Sequence, residues 1–197
     1  MTLKPLDQQI QFILEIDQLK SVLRRTSLIN EARLENSAEH SWHIAVMAVL
    51  LADYANEAVN VLHVVKMLLV HDIVEIDAGD TFAYSDVSKA DQHTQERLAA
   101  ERIFGLLPTA QSAELMTLWE EFEAILTPEA KFANAMDRLM PTLHNYHNNG
   151  GTWQTPGVTL EKIKQRLTPV SAGSAELGQF VHAIVDDALA RGLINPE

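Results

Sequence analysis

The chain has 197 residues, with 15 lysines and arginines against 27 aspartates and glutamates, a formal net charge of −12. Apolar residues make up 47% and charged residues 21%, which excludes a disordered chain and suits one globular unit. A surface of that sign repels a phosphodiester polymer, so nucleic acid is not an expected partner, and the absence of cysteine excludes disulfides, thiolate nucleophiles, Cys-ligated zinc and iron–sulfur clusters.

The opening segment, MTLKPLDQQIQFILEIDQLK, has no basic start followed by an apolar core and so does not read as a signal peptide. Leu6, Ile10, Ile13, Leu14, Ile16 and Leu19 recur at helical spacing and predict a helix over about 5–24. Asn36 or Ser37 caps a second helix, about 37–57. Its stretch Ile44–Ala52 is apolar nearly all round, which predicts burial on several sides. That stretch is the longest pure apolar run and falls far short of the ~18–20 residues that span a bilayer. No membrane association is expected, and the expected location is the cytoplasm. Asn60 caps a third helix, about 61–76.

A loop opens at Asp77-Ala78-Gly79-Asp80 and runs to about Lys89. Helices follow over about 90–107, closed by Pro108, and about 109–125. In Trp119-Glu120-Glu121-Phe122-Glu123 the aromatics read as inward and the acids as outward. Thr127-Pro128-Glu129 has the residue types of a helix start and opens a helix to about Asn148. Asn149-Gly150-Gly151 begins a second loop, and two helices close the chain, about 160–168 and 173–192, with Gly192 as C-cap. No segment sustains a period of two, and no repeat or linker divides the chain. The expected fold is all-α, one domain over 1–197, with 160–197 as a C-terminal helical extension.

Four polar residues sit where an apolar helix has no use for them. His40 lies on the first turn of the second helix. His71 and Asp72 follow Met67-Leu68-Leu69-Val70, and Asp137 shares a face with Ala133 and Met140. A buried carboxylate needs a counter-charge. Asp137 could find one in Arg138 or another arginine, and most lone histidines, His43, His63, His93 and His182 among them, are satisfied by an ordinary hydrogen bond. Together, however, two imidazoles and two carboxylates make a nitrogen-and-oxygen donor set for one divalent ion: Mn, Fe, Co, Ni or Zn, with Mg also admissible. Glu75, four residues after His71, and Asp80 can stand beside such an ion without ligating it.

These residues carry a resemblance. The spacing His40 … His71-Asp72 … Asp137 resembles the H…HD…D pattern of the HD superfamily of metal-dependent phosphohydrolases. Glu35-Asn36-Ser37-Ala38-Glu39-His40-Ser41, His71-Asp72-Ile73-Val74-Glu75 with Gly79-Asp80, and Leu118–Glu123 followed by Thr127–Phe132 are similar to further blocks of its 5'-deoxynucleotidase branch, over about residues 15–155. The resemblance implies an all-helical HD fold and a divalent ion held by His40, His71, Asp72 and Asp137. It implies hydrolysis of a nucleoside 5'-monophosphate to nucleoside and phosphate, with Glu75 and Asp80 as the acids that manage water and the leaving-group proton. It also implies a substrate-contacting arginine at Arg25 and a homodimer. Thr26 stands where deoxynucleotidases that reject ribose carry a tryptophan, so sugar preference is not implied. The alternatives are another HD nucleotide hydrolase (a phosphodiesterase, a triphosphohydrolase or a hydrolase of a signalling nucleotide) and a non-catalytic metal-bound nucleotide sensor. Arg24 and Arg25 also fit a solvated helix end, and His144 and His147 are further candidates to line the site.

Overall fold

The computed structural model describes residues 4–29, 32–85 and 88–195. Helix α1 (Pro5–Glu15) tightens into a 3₁₀ turn (Ile16–Ser21) and leads into a two-stranded antiparallel ribbon, β1 (Leu23–Ser27) with β2 (Leu34–Asn36). Helices α2 (Ser37–Leu51), α3 (Val61–Val70), α4 (Glu75–Ala78), α5 (Lys89–Phe104), α6 (Thr109–Ala124), α7 (Pro128–His147), α8 (Leu160–Gly173) and α9 (Ala175–Ala190) follow. The fold is all-α apart from the ribbon.

The central element is α7, which packs against α2, α3, α6, α8 and α9. Its Ala130, Ala133 and Ala135 are completely buried beside Phe132, Met136, Leu139 and Met140. The small residues let neighbouring helices approach, and the large ones fill the spaces between them. At Gly173 the approach is closest: a Cβ there would lie 2.4 Å from the Lys131 carbonyl oxygen and 2.9 Å from the Ala135 Cβ.

The helix starts follow the capping chemistry in the sequence. Asn36 accepts from the Glu39 N–H at 2.9 Å while the Glu39 carboxylate accepts from the Asn36 N–H at 3.3 Å, a reciprocal box that fixes the first turn of α2 and hence His40. Thr127 accepts from the Ala130 N–H at 3.1 Å at the head of α7, and Pro128 needs no donor there.

Four expectations change. The first helix stops at Glu15, and residues 23–27 are extended. Their burial alternates, but five residues are too few for a period of two to stand out. The third helix ends at Val70 and gives way to a 3₁₀ turn, His71–Val74, before the single turn α4 ends at Gly79, whose φ of 75° a side chain would resist. Helix α8 runs through Pro169 to Gly173 because the carbonyl that loses its partner belongs to the exposed Gln165. The second helix is not covered on all sides: Trp42 (62%), Val46, Val49 (58%) and Leu50 (72%) face outward. Apolar composition reports that a face avoids water, not which molecule covers it.

Among the described residues no helix is long and apolar enough to cross a membrane. Replacing Gly173 by alanine drives a methyl group into the α7 backbone. The expected cost is ~1–3 kcal/mol, read as a lower urea midpoint at unchanged slope; an unchanged midpoint would show that α7 and α8 are free to move apart.

Candidate metal centre

The site forms where the ribbon, the start of α2, the 3₁₀ turn after α3 and the middle of α7 meet. His40 is completely buried, and His71 and Asp72 nearly so. The ligand atoms of His40, His71 and Asp72 lie within 4.8 Å of one another. Asp137 Oδ1 lies 3.0 Å from His40 Nε2 and 3.9 Å from His71 Nε2, and His71 Nε2 is 2.9 Å from Asp72 Oδ1. The four residues singled out in the sequence are therefore brought together.

The cluster fits a cation on two counts. His71 Nδ1 donates to the Leu68 carbonyl at 2.9 Å, which fixes the tautomer and leaves Nε2 turned toward Asp72 and Asp137. That Nε2 is buried and makes no hydrogen bond of its own. His40 Nδ1 faces the buried Glu35 carboxylate at 3.3 Å, an ion-pair contact, while its Nε2 is turned toward Asp137. The resulting set of two nitrogens and two carboxylates suits a divalent ion of the first transition row, zinc or magnesium. Glu35 also comes within 4.8 Å of ligand atoms on His43 and His144. Its Oε2 is shared among His40, His144 at 3.7 Å and Arg24 at 3.5 Å, as suits a group that orients ligands.

Arg24 supplies the fixed positive charge. Its guanidinium meets Asp72 at 2.9 Å, Asp137 at 3.9 Å and Asp80 at 4.0 Å. Strand alternation produces this: Arg24 and Thr26 point inward and Arg25 outward. The solvated-helix-end alternative is thus ruled out for Arg24, which lies in a strand among carboxylates. Arg25 is exposed but lines the mouth of the cavity that opens onto the cluster.

The electrostatics follow from these contacts. Burial alone would raise the Asp137 carboxyl, but the His40 hydrogen bond and the charges of His71 and Arg24 hold it well below the usual range. Burial would lower His71; the facing Asp72 and Asp137 carboxylates outweigh it and push the imidazole up to about 9. Glu75 moves the other way. Burial and the Asp72 charge raise it well above the ordinary carboxyl range, although Ser37 Oγ donates to it at 2.5 Å. Burial also raises Asp80, against the pull of Arg24. Arg138 falls to about 10 through burial and then the like charge of Arg166.

The cavity encloses about 250 Å³ and is lined by Arg25, Asp72, Glu75, Asp80 and Asp137, and elsewhere by Tyr84, Arg138, Trp153 and Arg166. His144 is buried behind the cluster against Glu35, and His147 is exposed. His63 pairs with Glu121 at 2.7 Å; Trp119 and Phe122 face inward and Glu120 outward, as expected, but Glu121 is half-buried against His63 and Thr127, and Glu123 lines the cavity.

A model of the HD domain family matches residues 16–177. The chain belongs to the HD domain family. A curated relative of this HD protein, "5'-deoxynucleotidase HDDC2" of Danio rerio, is 35% identical over 135 residues, 68% of this chain and 66% of the relative. The Homo sapiens protein of the same name is 35% identical over 66% of this chain and 62% of its own length. The HD protein thus spans just under two thirds of these curated relatives. A crystal structure from Magnetospirillum magnetotacticum MS-1, named a "predicted metal-dependent phosphohydrolase", superposes with a TM-score of 0.93 at 53% identity, covering 98% of this chain and 96% of that one.

The sequence reading missed three elements of the site. Glu35 stood inside a quoted block with no role assigned, Arg24 was not separated from Arg25, and Arg166 has no local signal at all. Metal binding should report the first. Glu35→Gln is expected to weaken Mn²⁺ affinity ~10–100-fold while leaving one site per chain. The native affinity should fall as pH drops below about 9, because a ligating imidazole must lose the proton His71 holds up to there. Metal titration across pH tests both, and a pH-independent affinity would remove His71 from the ligand set.

Proposed function

We propose that this HD protein is a metal-dependent phosphomonoesterase that cleaves nucleoside 5'-monophosphates, ribo or deoxyribo, to nucleoside and phosphate. The observation that carries the reading is the convergence of His40, His71, Asp72 and Asp137 at the wall of a cavity that also presents two unligated acids and an unpaired cation. The curated relatives' name, 5'-deoxynucleotidase, agrees with it.

His40, His71, Asp72 and Asp137 would hold the divalent ion, which supplies polarisation of a phosphoryl oxygen and acidification of a water. The rest falls to the chain's own side chains. Arg24 is already neutralised by carboxylates, so it stiffens the ligand set and does not take substrate. Arg25 has no ion pair among the described residues and faces the cavity mouth, where its fork can grip the phosphate in bidentate fashion. Phosphoryl transfer gathers charge on the equatorial and leaving oxygens, so position and charge are most of what the protein must provide. Glu75 retains a proton unusually well, because burial and the Asp72 charge disfavour its ionised form. That suits a donor to the leaving alkoxide. Asp80, held 4.0 Å from Arg24, is the acceptor for the proton of the attacking water.

The same reading takes the protein as a cytoplasmic homodimer, with the outward apolar face of α2 covered by a second copy. Leu50→Glu should then halve the mass measured by light scattering; a monomeric native protein would count against the dimer.

Phosphate release should be measured with Mn²⁺ or Co²⁺ on mono-, di- and triphosphates of ribo- and deoxyribonucleosides. Monophosphates are expected to be cleaved, and Glu75→Ala should keep the metal while losing ~10²–10⁴ in rate. Release only from di- or triphosphates would favour another HD nucleotide hydrolase, and tight binding without turnover a sensor.

A further inference from the structure

The cavity holds more arginines than one phosphate requires, set among acidic side chains that include Glu96 and Glu123. Besides Arg25, it is lined by Arg138 from α7 and Arg166 from α8. Neither makes an ion pair with a carboxylate among the described residues. Arg138 Nε is buried without a hydrogen-bond partner, and the polar contact of its Nη2 is a long one, 3.4 Å to Asn134 Oδ1. Arg138 feels the like charge of Arg166 ahead of the attraction of Asp137 and Glu123, neither of which pairs with it, and a ligand that brings an anion to the two guanidinium groups relieves that repulsion.

The pair also belongs to a different part of the cavity from the metal cluster. Arg138 follows the ligand Asp137 directly on α7, so the two side chains diverge by roughly 100°. Its guanidinium turns back one turn toward Asn134. Arg166 and Arg138 both act on the Tyr84 phenol, which is half-buried beside Trp153. Arg24 and Arg25 act instead on Asp80, next to the metal ligands. The cavity is also lined by aromatic side chains, Phe82, Tyr84 and Trp153, of the kind on which a base or sugar rests.

We infer that the preferred substrate is a phosphomonoester carrying a second anionic group remote from the scissile phosphate, received by Arg138 and Arg166. This rests on the monoesterase reading above and narrows its substrate class. The second anion is an oxyacid group, either a phosphate on the sugar or a carboxylate on the base. Both present paired oxygens to a guanidinium fork.

Calorimetry on the full-length Glu75→Ala protein loaded with Mn²⁺ tests it. One arm compares adenosine 3',5'-bisphosphate with adenosine 5'-monophosphate, and the other compares orotidine 5'-monophosphate with uridine 5'-monophosphate. In at least one arm the doubly anionic compound is expected to bind about tenfold tighter or more, as charge-assisted bonds to a buried arginine allow. The arm that shows the advantage identifies the source of the anion. Adding Arg166→Gln should erase that advantage and Arg166→Lys should retain part of it. If Glu75→Ala still turns over, the ratio of kcat/KM values for the same pairs reads the same preference. Equal affinity within both pairs, or an advantage that survives Arg166→Gln, would overturn the inference. If Arg166→Gln does not fold, the native pairs and Arg166→Lys still decide. Failure of the native protein to release phosphate from any compound would instead strike the monoesterase reading, since the binding preference is measured without turnover.

Discussion

Two carboxylates, Asp72 and Asp137, are enclosed by apolar helices, and that enclosure governs the molecule. Even after relaxation, the effective penalty for burying an ion is several kcal/mol. A bundle of this kind can bear two of them only if cations arrive from elsewhere in the chain. One arrives permanently, as the Arg24 guanidinium at 2.9 Å from Asp72. The others are exchangeable: a proton on His71, or a divalent ion in its place. The ribbon between α1 and α2 exists in an otherwise helical protein to carry Arg24 inward, and the change from α3 to a 3₁₀ turn aims His71 and Asp72 at the same point.

How far the sequence could be read follows from the range over which each signal acts. Capping residues speak within one turn, so Asn36, Asn60 and Thr127 marked helix starts that the structure keeps. A polar residue on an apolar face is conspicuous alone, so His40, His71, Asp72 and Asp137 stood out before their distances were known. Arg24 and Arg25 could not be told apart, because the difference lies in which face of a five-residue strand each occupies. The outward face of α2 was misjudged for another reason. Its residues are as apolar as core residues, and only the absence of a neighbour within the chain distinguishes them. Arg166 was invisible because its partners, Arg138 and Tyr84, lie far away in sequence and come together only through the packing of α8 on α7.

The acidic charge of the whole conceals a site in which both signs are concentrated. A chain of net −12 gathers Arg24, Arg25, Arg138 and Arg166 around one cavity. A long polyanion meets the repulsive exterior, whereas a small one that reaches the cavity meets these arginines set among Asp72, Glu75, Asp80, Glu96, Glu123 and Asp137.

The doublet at the start of the ribbon has an evolutionary corollary. A strand that slips by one place against its neighbour normally turns its inner residues out, which would be ruinous for a buried ionic network. Here a slip in one direction would set Arg25 in the inner place, but Ser27 would then stand where Thr26 meets Glu35 and no arginine would be left at the cavity mouth, and a slip in the other direction would bring in Leu23. Small insertions and deletions in the preceding turn are therefore excluded at the point where the protein could least survive them.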